Sequence, residues 1–369
     1  MIAQPPDRFI GLMSGTSQDA IDGVLATFPD ALQPQTLATF SLPLPNTLRR
    51  RLDALQTVGG GHLDEALALH QELGERFADC ALELLRCAGI EAKSVRAIGS
   101  HGQTVRHNPH GPAPYSLQLG NAALIASRTG IPTVADFRSG DMASGGQGAP
   151  LAPAFHQAVL SDSRQRRAVL NLGGMANLTL LGTPTRGWDV GPGNVLLDAW
   201  IARHRGVAFD ADGQWARSGR VDHSLLAALL AHPFIERAAP KSTGREDFNL
   251  TWLDTVLDRF PTVDDVDIQA TLAEFTAASV SGALKDELPL DELLICGGGV
   301  RNSDLVDRIA RRLSEVAVAS TQSAGVDPQW VEALTFAWLA KQRVDEKPLN
   351  LQSITGSRRA VIPGCVYLP

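Results

Sequence analysis

The chain has 369 residues, of which 44% are hydrophobic and 20% charged, which is ordinary for a soluble globular protein of about two domains. Its net charge of −7 disfavours nucleic acid as the principal partner, since nucleic-acid binding requires basic surfaces. No stretch approaches the roughly eighteen apolar residues of a membrane helix, the N-terminus lacks a signal-peptide pattern, and the four cysteines form no CxxC pair. These features predict a cytoplasmic protein that does not bind membranes.

The first predicted element is a β-hairpin close to the N-terminus. Residues 9–13 form an apolar strand, residues 14–19 a polar turn, and residues 21–27 alternate as the returning strand. A turn rich in hydroxyl and amide groups can bind phosphate through its backbone N–H groups. An ordinary solvent-exposed turn is an equally good interpretation of the hairpin alone.

The next predicted elements are a helix over residues 62–87 and a buried strand over 95–98, which ends in small residues and His101. Such strand ends are typical of ligand-binding edges in α/β proteins, although a lone histidine there is more often a structural hydrogen-bonding group. A strand over 131–138 then enters a glycine-dense loop over 139–150, which predicts either close approach to a ligand or a hinge. We therefore predict an N-terminal lobe over 1–130 and a second lobe over 131–344, with residues 345–369 returning to the first.

The second lobe is predicted to begin with another hairpin, over residues 167–174 and 177–181. Asp189 follows at a strand end, and Gly191 and Gly193 separate it from an apolar helix pattern. Strand, glycine turn and helix in this order place backbone N–H groups where they can hold phosphate. The alternative for Asp189 is a capping or turn carboxylate.

Two further segments complete the pattern. A buried strand over 293–296 ends in three glycines and leads to a helix over 303–313, with Asn302 or Ser303 as its N-cap, which is typical of a nucleotide-binding edge. A strongly apolar helix over 328–340 carries Glu332, and a buried carboxylate needs a partner because burying it unpaired is costly.

The chain contains neither GxxxxGK[ST] nor a GxGxxG that opens a helix, so a P-loop and a Rossmann dinucleotide site are unsupported. Glycine-bearing turns spread over both halves instead resemble the actin, hexokinase and heat-shock-chaperone ATPase superfamily. Six motifs in order, GLMSGTS (11–17), GSHGQT (99–104), ADFR (135–138), NLGG (171–174), DVGPGN (189–194) and GGGVRN (297–302), resemble the anhydro-N-acetylmuramic acid kinases of bacterial cell-wall recycling. The resemblance runs nearly end to end. This chain has Ala20 where the family usually has glycine, and Val190 where it usually has threonine.

The resemblance implies a two-lobed α/β fold of the actin-like ATPase type, which is ribonuclease-H-like, with the active site in the interlobe cleft. It implies a kinase that uses ATP and Mg²⁺ to open 1,6-anhydro-N-acetylmuramic acid hydrolytically and to phosphorylate it to N-acetylmuramic acid 6-phosphate. Another sugar or acid kinase of the superfamily, and a nucleotide-gated binding ATPase, remain as alternatives. The oligomeric state stays open, with a homodimer as one option.

The resemblance also implies roles for individual residues. Asp189 is implied as the catalytic base and Glu332 as a group that holds the sugar or the water, with a purely structural ion pair as the alternative for Glu332. The residues implied in sugar binding are Ser14, Thr16, His101, Gln103 and Arg138. The residues implied in ATP binding are Gly15, Thr16, Ser17, Gln18, Asp19, Ala20, Ile21, Asp22, Gly173, Gly174, Gly191, Gly193, Gly297, Gly298, Gly299 and Asn302.

The resemblance implies one further role, and two other assignments keep explicit alternatives. Asp19 is implied as a partner of Mg²⁺ through a water molecule. Arg138 could instead bridge Asp136 or Asp141 across its own loop. The polar loop over residues 241–246 could contact a ligand or a partner subunit, and the sequence does not choose between them.

Overall fold

The computed structural model describes residues 7–15, 18–29, 33–56 and 63–369. Thr16 and Ser17, which are predicted to contact ATP, therefore lie outside the described residues. The chain forms two compact units, Met1–Val159 with Trp330–Pro369, and Leu160–Gln329. The predicted lobe boundary at residue 131 falls inside the first unit, because the strand at 133–135 pairs with the central sheet of that unit.

The first unit is built from the two ends of the chain. Its strands up to residue 159 are β1 (Arg8–Met13), β2 (Ala20–Thr27), β3 (Gln35–Pro43), β4 (Val95–Ser100), β5 (Gln103–Asn108), β6 (Tyr115–Leu119) and β7 (Thr133–Ala135). Its helices over the same range are α1 (Asn46–Gln56), α2 (Leu63–Ala88), α3 (Ala122–Thr129), α4 (Ser139–Ala143) and α5 (Ala152–Leu160).

The second unit begins with consecutive strands, continues with consecutive helices and ends with a strand, a helix and a strand. Its strands are β8 (Arg167–Leu172), β9 (Met175–Leu180), β10 (Arg186–Pro192), β11 (Glu292–Cys296) and β12 (Ala317–Ser320). Its helices are α6 (Val195–Arg205), α7 (Gln214–Ser218), α8 (His223–Leu230), α9 (Pro233–Glu236), α10 (Leu250–Leu257), α11 (Asp265–Leu284) and α12 (Ser303–Arg312). The chain then returns to the first unit with α13 (Val331–Val344), α14 (Gln352–Thr355) and β13 (Cys365–Tyr367).

The main sheets of the two units share one topology. The first has the order β13-β7-β4-β1-β2-β3, and the second has the order β10-β9-β8-β11-β12. In each sheet a hairpin, β1–β2 or β8–β9, pairs two antiparallel strands. The first strand of each hairpin also pairs in parallel with a later strand, β1 with β4 and β8 with β11. Two units with this strand order confirm the predicted α/β fold of two ribonuclease-H-like lobes.

Two glycines allow α13 to lie directly on the sheet of the first unit. A Cβ atom added at Gly11 of β1 would lie 1.9 Å from the carbonyl oxygen of Ala333, and one at Gly99 of β4 would lie 2.0 Å from that of Phe336. Neither position can carry a side chain without moving the helix. The close packing fixes the start of α13 beside the ends of β1 and β4.

Several predicted boundaries change in the structure. The predicted strand over 131–138 is shortened to Thr133–Ala135 because Asp136 has a φ of 54° and turns the chain. The loop predicted over 139–150 contains the short helix α4, and β5 begins at Gln103, within the segment of small residues that follows the strand predicted over 95–98. Among the helices of the described residues, none combines the length and apolar character needed to cross a bilayer.

Candidate active site

In the first unit, three predicted site residues meet where β1 and β5 approach each other. The hydroxyl of Ser14 donates to Oε1 of Gln103 at 2.7 Å, and Nε2 of Gln103 donates to the carbonyl oxygen of Gly15 at 3.3 Å. Both side chains are buried. Gln103 therefore fixes the start of the β1–β2 turn, and the two side chains lie at a place where a ligand could meet that turn.

His101 and Arg138 form a second pair in the same unit. A terminal nitrogen of the Arg138 guanidinium lies 2.9 Å from Nε2 of His101, and the other terminal nitrogen donates to the carbonyl oxygen of Gly148 at 3.0 Å. Burial and the neighbouring guanidinium lower the pKa of His101 well below its usual value, so its ring is neutral. Burial lowers the pKa of Arg138 to about 10, and the nearby Glu332 carboxylate opposes that shift.

These contacts bear on the alternative interpretation of Arg138. Within the described part of the chain, Arg138 makes no ion pair with Asp136 or Asp141. Asp141 is instead buried and accepts hydrogen bonds from the amide of Gly148 and the hydroxyl of Thr355. Arg138 is thus a charged group paired with a neutral ring and a carbonyl oxygen.

Glu332 occupies a different environment from the one that we predicted. The apolar sequence around it suggested a buried carboxylate, but its side chain is exposed. It lies in the first turn of α13, where the helix end reaches the surface while Val331 and Ala333 on either side are buried. A carboxylate there interacts favourably with the helix dipole and contributes electrostatically to Arg138.

The polar residues at and after the β1–β2 turn each contact a different part of the first unit. Gln18 has a φ of 57° and its amide group donates to Asp53 and Gln56 of α1. Asp19 is exposed and forms a 3.0 Å ion pair with Arg49. Of the remaining predicted ATP contacts, Ala20, Ile21 and Asp22 belong to β2, and the Asp22 carboxylate accepts a hydrogen bond from Ser41.

In the second unit, Asp189 is held by a loop that lies beside the strand β10. Oδ2 of Asp189 accepts hydrogen bonds from the hydroxyl of Ser242 at 2.9 Å and from the amide of Thr243 at 3.0 Å. Oδ1 accepts none from the described residues. Burial raises the pKa of Asp189, and these two hydrogen bonds oppose that increase.

The glycine turns of this unit are bonded to each other. The amides of Gly193 and Asn194 donate to the carbonyl oxygens of Gly174 and Gly173, both at 2.9 Å, and the amide of Val195 also donates to Gly174. The predicted use of the Gly193 amide for phosphate therefore conflicts with this arrangement. The amides of Gly173 and Gly174 donate no hydrogen bond to the described residues. They are therefore better placed than the Gly193 amide to donate to a phosphate.

The three-glycine segment lies against the end of β8. A Cβ atom at Gly297 would lie 2.3 Å from Oδ1 of Asn171, and one at Gly299 would lie 2.6 Å from Cβ of Leu172, whereas Gly298 is exposed and faces open space. Asn302 is the N-cap of α12, and its Oδ1 accepts from the amide of Leu305. The glycine segment thus adjoins the β8–β9 turn, while the Asn302 side chain stabilises the helix.

Sequence reasoning missed two residues of this site. Ser242 and Thr243, which hold Asp189, lie in a polar loop whose purpose remained open. Their distance of more than fifty residues from Asp189 along the chain conceals the contact. The only signal for them was the concentration of hydroxyl and charged residues over 241–246.

The family model described as "Anhydro-N-acetylmuramic acid kinase" matches residues 7–369. The chain belongs to the anhydro-N-acetylmuramic acid kinase family. A protein of that name from Coxiella burnetii is 47% identical over 370 residues, covering 98% of each chain. Those from Saccharophagus degradans and Pasteurella multocida are 44% and 46% identical, covering 99% and 97% of this chain and 100% and 96% of theirs.

Proposed function

We propose that the protein is an ATP-dependent kinase that hydrolyses the 1,6-anhydro bridge of anhydro-N-acetylmuramic acid and phosphorylates the product on its 6-oxygen. The family supports this activity, and its place is peptidoglycan recycling in the cytoplasm, where ATP is present. The observation that carries the mechanism is the state of Asp189, whose carboxylate is held through Oδ2 while Oδ1 accepts no hydrogen bond from the described residues.

Apart from the proton transfer, the reaction makes two bonds and breaks two. The oxygen of water bonds to the anomeric carbon and the bond from that carbon to the bridging 6-oxygen breaks. The 6-oxygen bonds to the γ-phosphorus of ATP, and ADP leaves. The water proton that must be removed goes to Oδ1 of Asp189. A carboxylate whose pKa burial has raised is a better proton acceptor than an ordinary one, which suits this role.

The pair of Arg138 and His101 supports binding of the sugar. Because the His101 ring is neutral, it leaves the positive charge of Arg138 in place. N-acetylmuramic acid carries a carboxylate on its lactyl group, and a guanidinium binds such a group well. We assign Arg138 to that carboxylate or to neighbouring polar groups, with Ser14, Gln103 and Glu332 as further contacts of the sugar.

For ATP, we assign the β1–β2 turn to the β- and γ-phosphates and residues Gly297–Gly299 to the adenosine. The amides of Gly173 and Gly174 are the phosphate donors in the second unit, since that of Gly193 is already bonded. Mg²⁺ bound to ATP would neutralise charge on the phosphates. The described residues contain no cluster of three or more metal-binding side chains, but Mg²⁺ on a nucleotide keeps several waters, and the exposed Asp19 carboxylate fits such an outer position.

The function is tested by following ADP release with anhydro-N-acetylmuramic acid and a panel of other sugars. We expect release to depend on the anhydro sugar. Asp189→Asn should lower kcat by about 10²- to 10⁴-fold, the usual contribution of a general base, while the protein stays folded and still binds ATP. Asp286→Asn, at an exposed aspartate of the same unit, is the matched control and should leave kcat unchanged.

Three outcomes contradict the proposal. Near-normal turnover by Asp189→Asn would remove the assignment of the base. Faster release with a different sugar would assign the chain another substrate, and slow ATP hydrolysis that no sugar stimulates would indicate a nucleotide-gated binding protein.

A further inference from the structure

The segment Lys241 to Asp247, which we call the 241–247 loop, lies along the outer side of β10. β10 is the last strand of its sheet, so one of its edges has no neighbouring strand. The loop partly fills that place, since the amide of Asp189 donates to the carbonyl oxygen of Lys241 at 3.0 Å. The next two loop residues supply the hydrogen bonds to Oδ2 of Asp189.

Both ends of the loop are anchored. At its start, the Lys241 ammonium donates to the carbonyl oxygens of Phe234 and Ile235 at 3.1 and 2.9 Å, and it lies over the Phe234 ring. At its end, the Thr243 hydroxyl donates to Asp247 at 2.7 Å. The following Phe248 is fully buried in the core of the unit. A loop held in this way presents its donors to Asp189 in one fixed geometry.

The surroundings of Asp189 contain groups that raise its pKa and groups that lower it. Burial and the Glu246 carboxylate raise the pKa, while the Thr243 amide, the Ser242 hydroxyl and the Lys241 ammonium lower it. The loop therefore supplies every lowering contribution, together with the raising one of Glu246. Without the Ser242 hydroxyl and the Thr243 amide, the Asp189 carboxyl would hold its proton to higher pH and would be a base over a narrower range.

We propose that the 241–247 loop positions Asp189, and that the Ser242 hydroxyl and the Thr243 amide hold Oδ2 so that Oδ1 alone receives the proton of the water. This rests on the proposed function, in which Asp189 is the base. Ser242 is in this view a positioning residue: it acts through Asp189 and takes no proton itself.

The test uses Ser242→Ala, because the exposed hydroxyl can be removed without disturbing the core. Its loss takes away a hydrogen bond that favours the charged carboxylate, so the pKa of Asp189 should rise. We expect the acidic limb of the kcat/KM profile to move up by about 0.5 to 1 pH unit, so that kcat/KM at a fixed pH on that limb falls by about three- to tenfold. Ser242→Thr retains the hydroxyl and should restore both.

Ser218→Ala is the matched control, since it removes an exposed hydroxyl that donates to the carbonyl oxygen of Trp215 in the same unit. It should leave the profile unchanged. A fall in kcat/KM for Ser242→Ala with no shift of the acidic limb, or failure of Ser242→Thr to restore it, would overturn the proposal.

A second measurement separates this inference from the proposed function. The carboxyl carbons of the aspartates are labelled with ¹³C, the Asp189 signal is assigned by its loss in Asp189→Asn, and its titration is compared between wild type and Ser242→Ala. A raised pKa in the variant supports the positioning role whatever sugar the enzyme uses. An unchanged titration refutes it, even where the kinase assay succeeds.

Discussion

Arg138 can only donate hydrogen bonds, so its 2.9 Å contact with Nε2 of His101 requires that nitrogen to carry no proton. In the neutral ring the proton is then on Nδ1. The ring also packs against Phe336, with centroids 4.6 Å apart and ring planes tilted by 35°. A neutral histidine of fixed tautomer orients the guanidinium and leaves its charge in place. A carboxylate at the same place would cancel that charge.

A second buried histidine in the first unit provides a test of stability against pH. Burial lowers the pKa of His156 to about 3. The unfolded chain takes up this proton below about pH 6.5 and the folded chain does not, so the free energy of unfolding falls as pH falls through that range. For His156→Gln, we expect the dependence between about pH 6 and pH 4.5 to be shallower by about 1.4 kcal/mol per pH unit.

The measurement is urea unfolding of wild type and variant at several pH values, with the slopes compared rather than the absolute stabilities. The slope comparison removes any constant loss of packing from the substitution. His223→Gln, at an exposed histidine, should keep the wild-type slope. Equal slopes for wild type and His156→Gln would show that His156 is protonated in the folded protein.

At the scale of elements, the position of α13 depends on bare backbone at two strands. Gly11 and Gly99 leave space that the helix carbonyls fill, and Phe336 and Glu332 are placed as a result. The hydrophobic pattern predicts that such a helix is buried. It does not predict this contact, since a glycine at the end of an apolar strand is equally consistent with a turn.

Gly99→Ala tests this contact. The new Cβ would lie 2.0 Å from the carbonyl oxygen of Phe336, so α13 must move away from the sheet. We expect a loss of about 1 to 3 kcal/mol in the free energy of unfolding, as for other overpacked sites, and a higher KM for the sugar. Denaturant unfolding and the ADP-release assay measure the two effects.

The control for this prediction is Gly282→Ala in α11. A Cβ there meets nothing within 4 Å, and alanine is the better helix former, so the protein should become more stable by about 0.5 to 1 kcal/mol. Wild-type stability and KM in Gly99→Ala would show that α13 does not depend on the glycine.

The elements that sequence periodicity describes well are those with strong local signals. Both hairpins, the long α2 and the capped α12 lie close to their predicted positions because apolar spacing, turn residues and a capping Asn302 are local features. The position of β5 and the exposure of Glu332 could not be predicted from such local features. Each depends on which residues surround it in three dimensions.

At the scale of the whole molecule, the chain builds one topology twice. It completes most of the first unit, forms the second, and then returns with α13, α14 and β13. The hairpin β8–β9 holds the same place in its sheet as β1–β2 does in the other. The glycines at both hairpin tips are therefore predictable as a repeated feature, whereas the 241–247 loop has no such repeat to reveal it.

The returning segment also completes the surroundings of Arg138. Thr355, in α14, donates its hydroxyl to Oδ1 of Asp141 at 2.7 Å, across 214 residues of chain. Oδ2 of Asp141 accepts from the Gly148 amide at 2.7 Å, and the Gly148 carbonyl oxygen accepts from Arg138. A residue close to the C-terminus thus fixes the loop that orients a group assigned to the sugar.

Thr355→Val tests this connection because valine keeps the shape of threonine but cannot donate. It leaves the buried Asp141 carboxylate with one donor fewer, so the free energy of unfolding should fall by about 1 to 3 kcal/mol. A less restrained Gly148 should also raise the KM for the sugar more than the KM for ATP. Denaturant unfolding and the ADP-release assay with each substrate varied measure both effects.

Thr355→Ser retains the hydroxyl and should stay close to wild type in KM, since it loses only a methyl group. If the serine and valine variants weaken sugar binding equally, then packing at this site matters and the hydrogen bond to Asp141 does not. If the valine variant loses stability with both KM values unchanged, Asp141 stabilises the fold without orienting Arg138. Only a selective rise in the sugar KM for valine, absent for serine, connects the C-terminal segment to the sugar through Asp141 and Gly148.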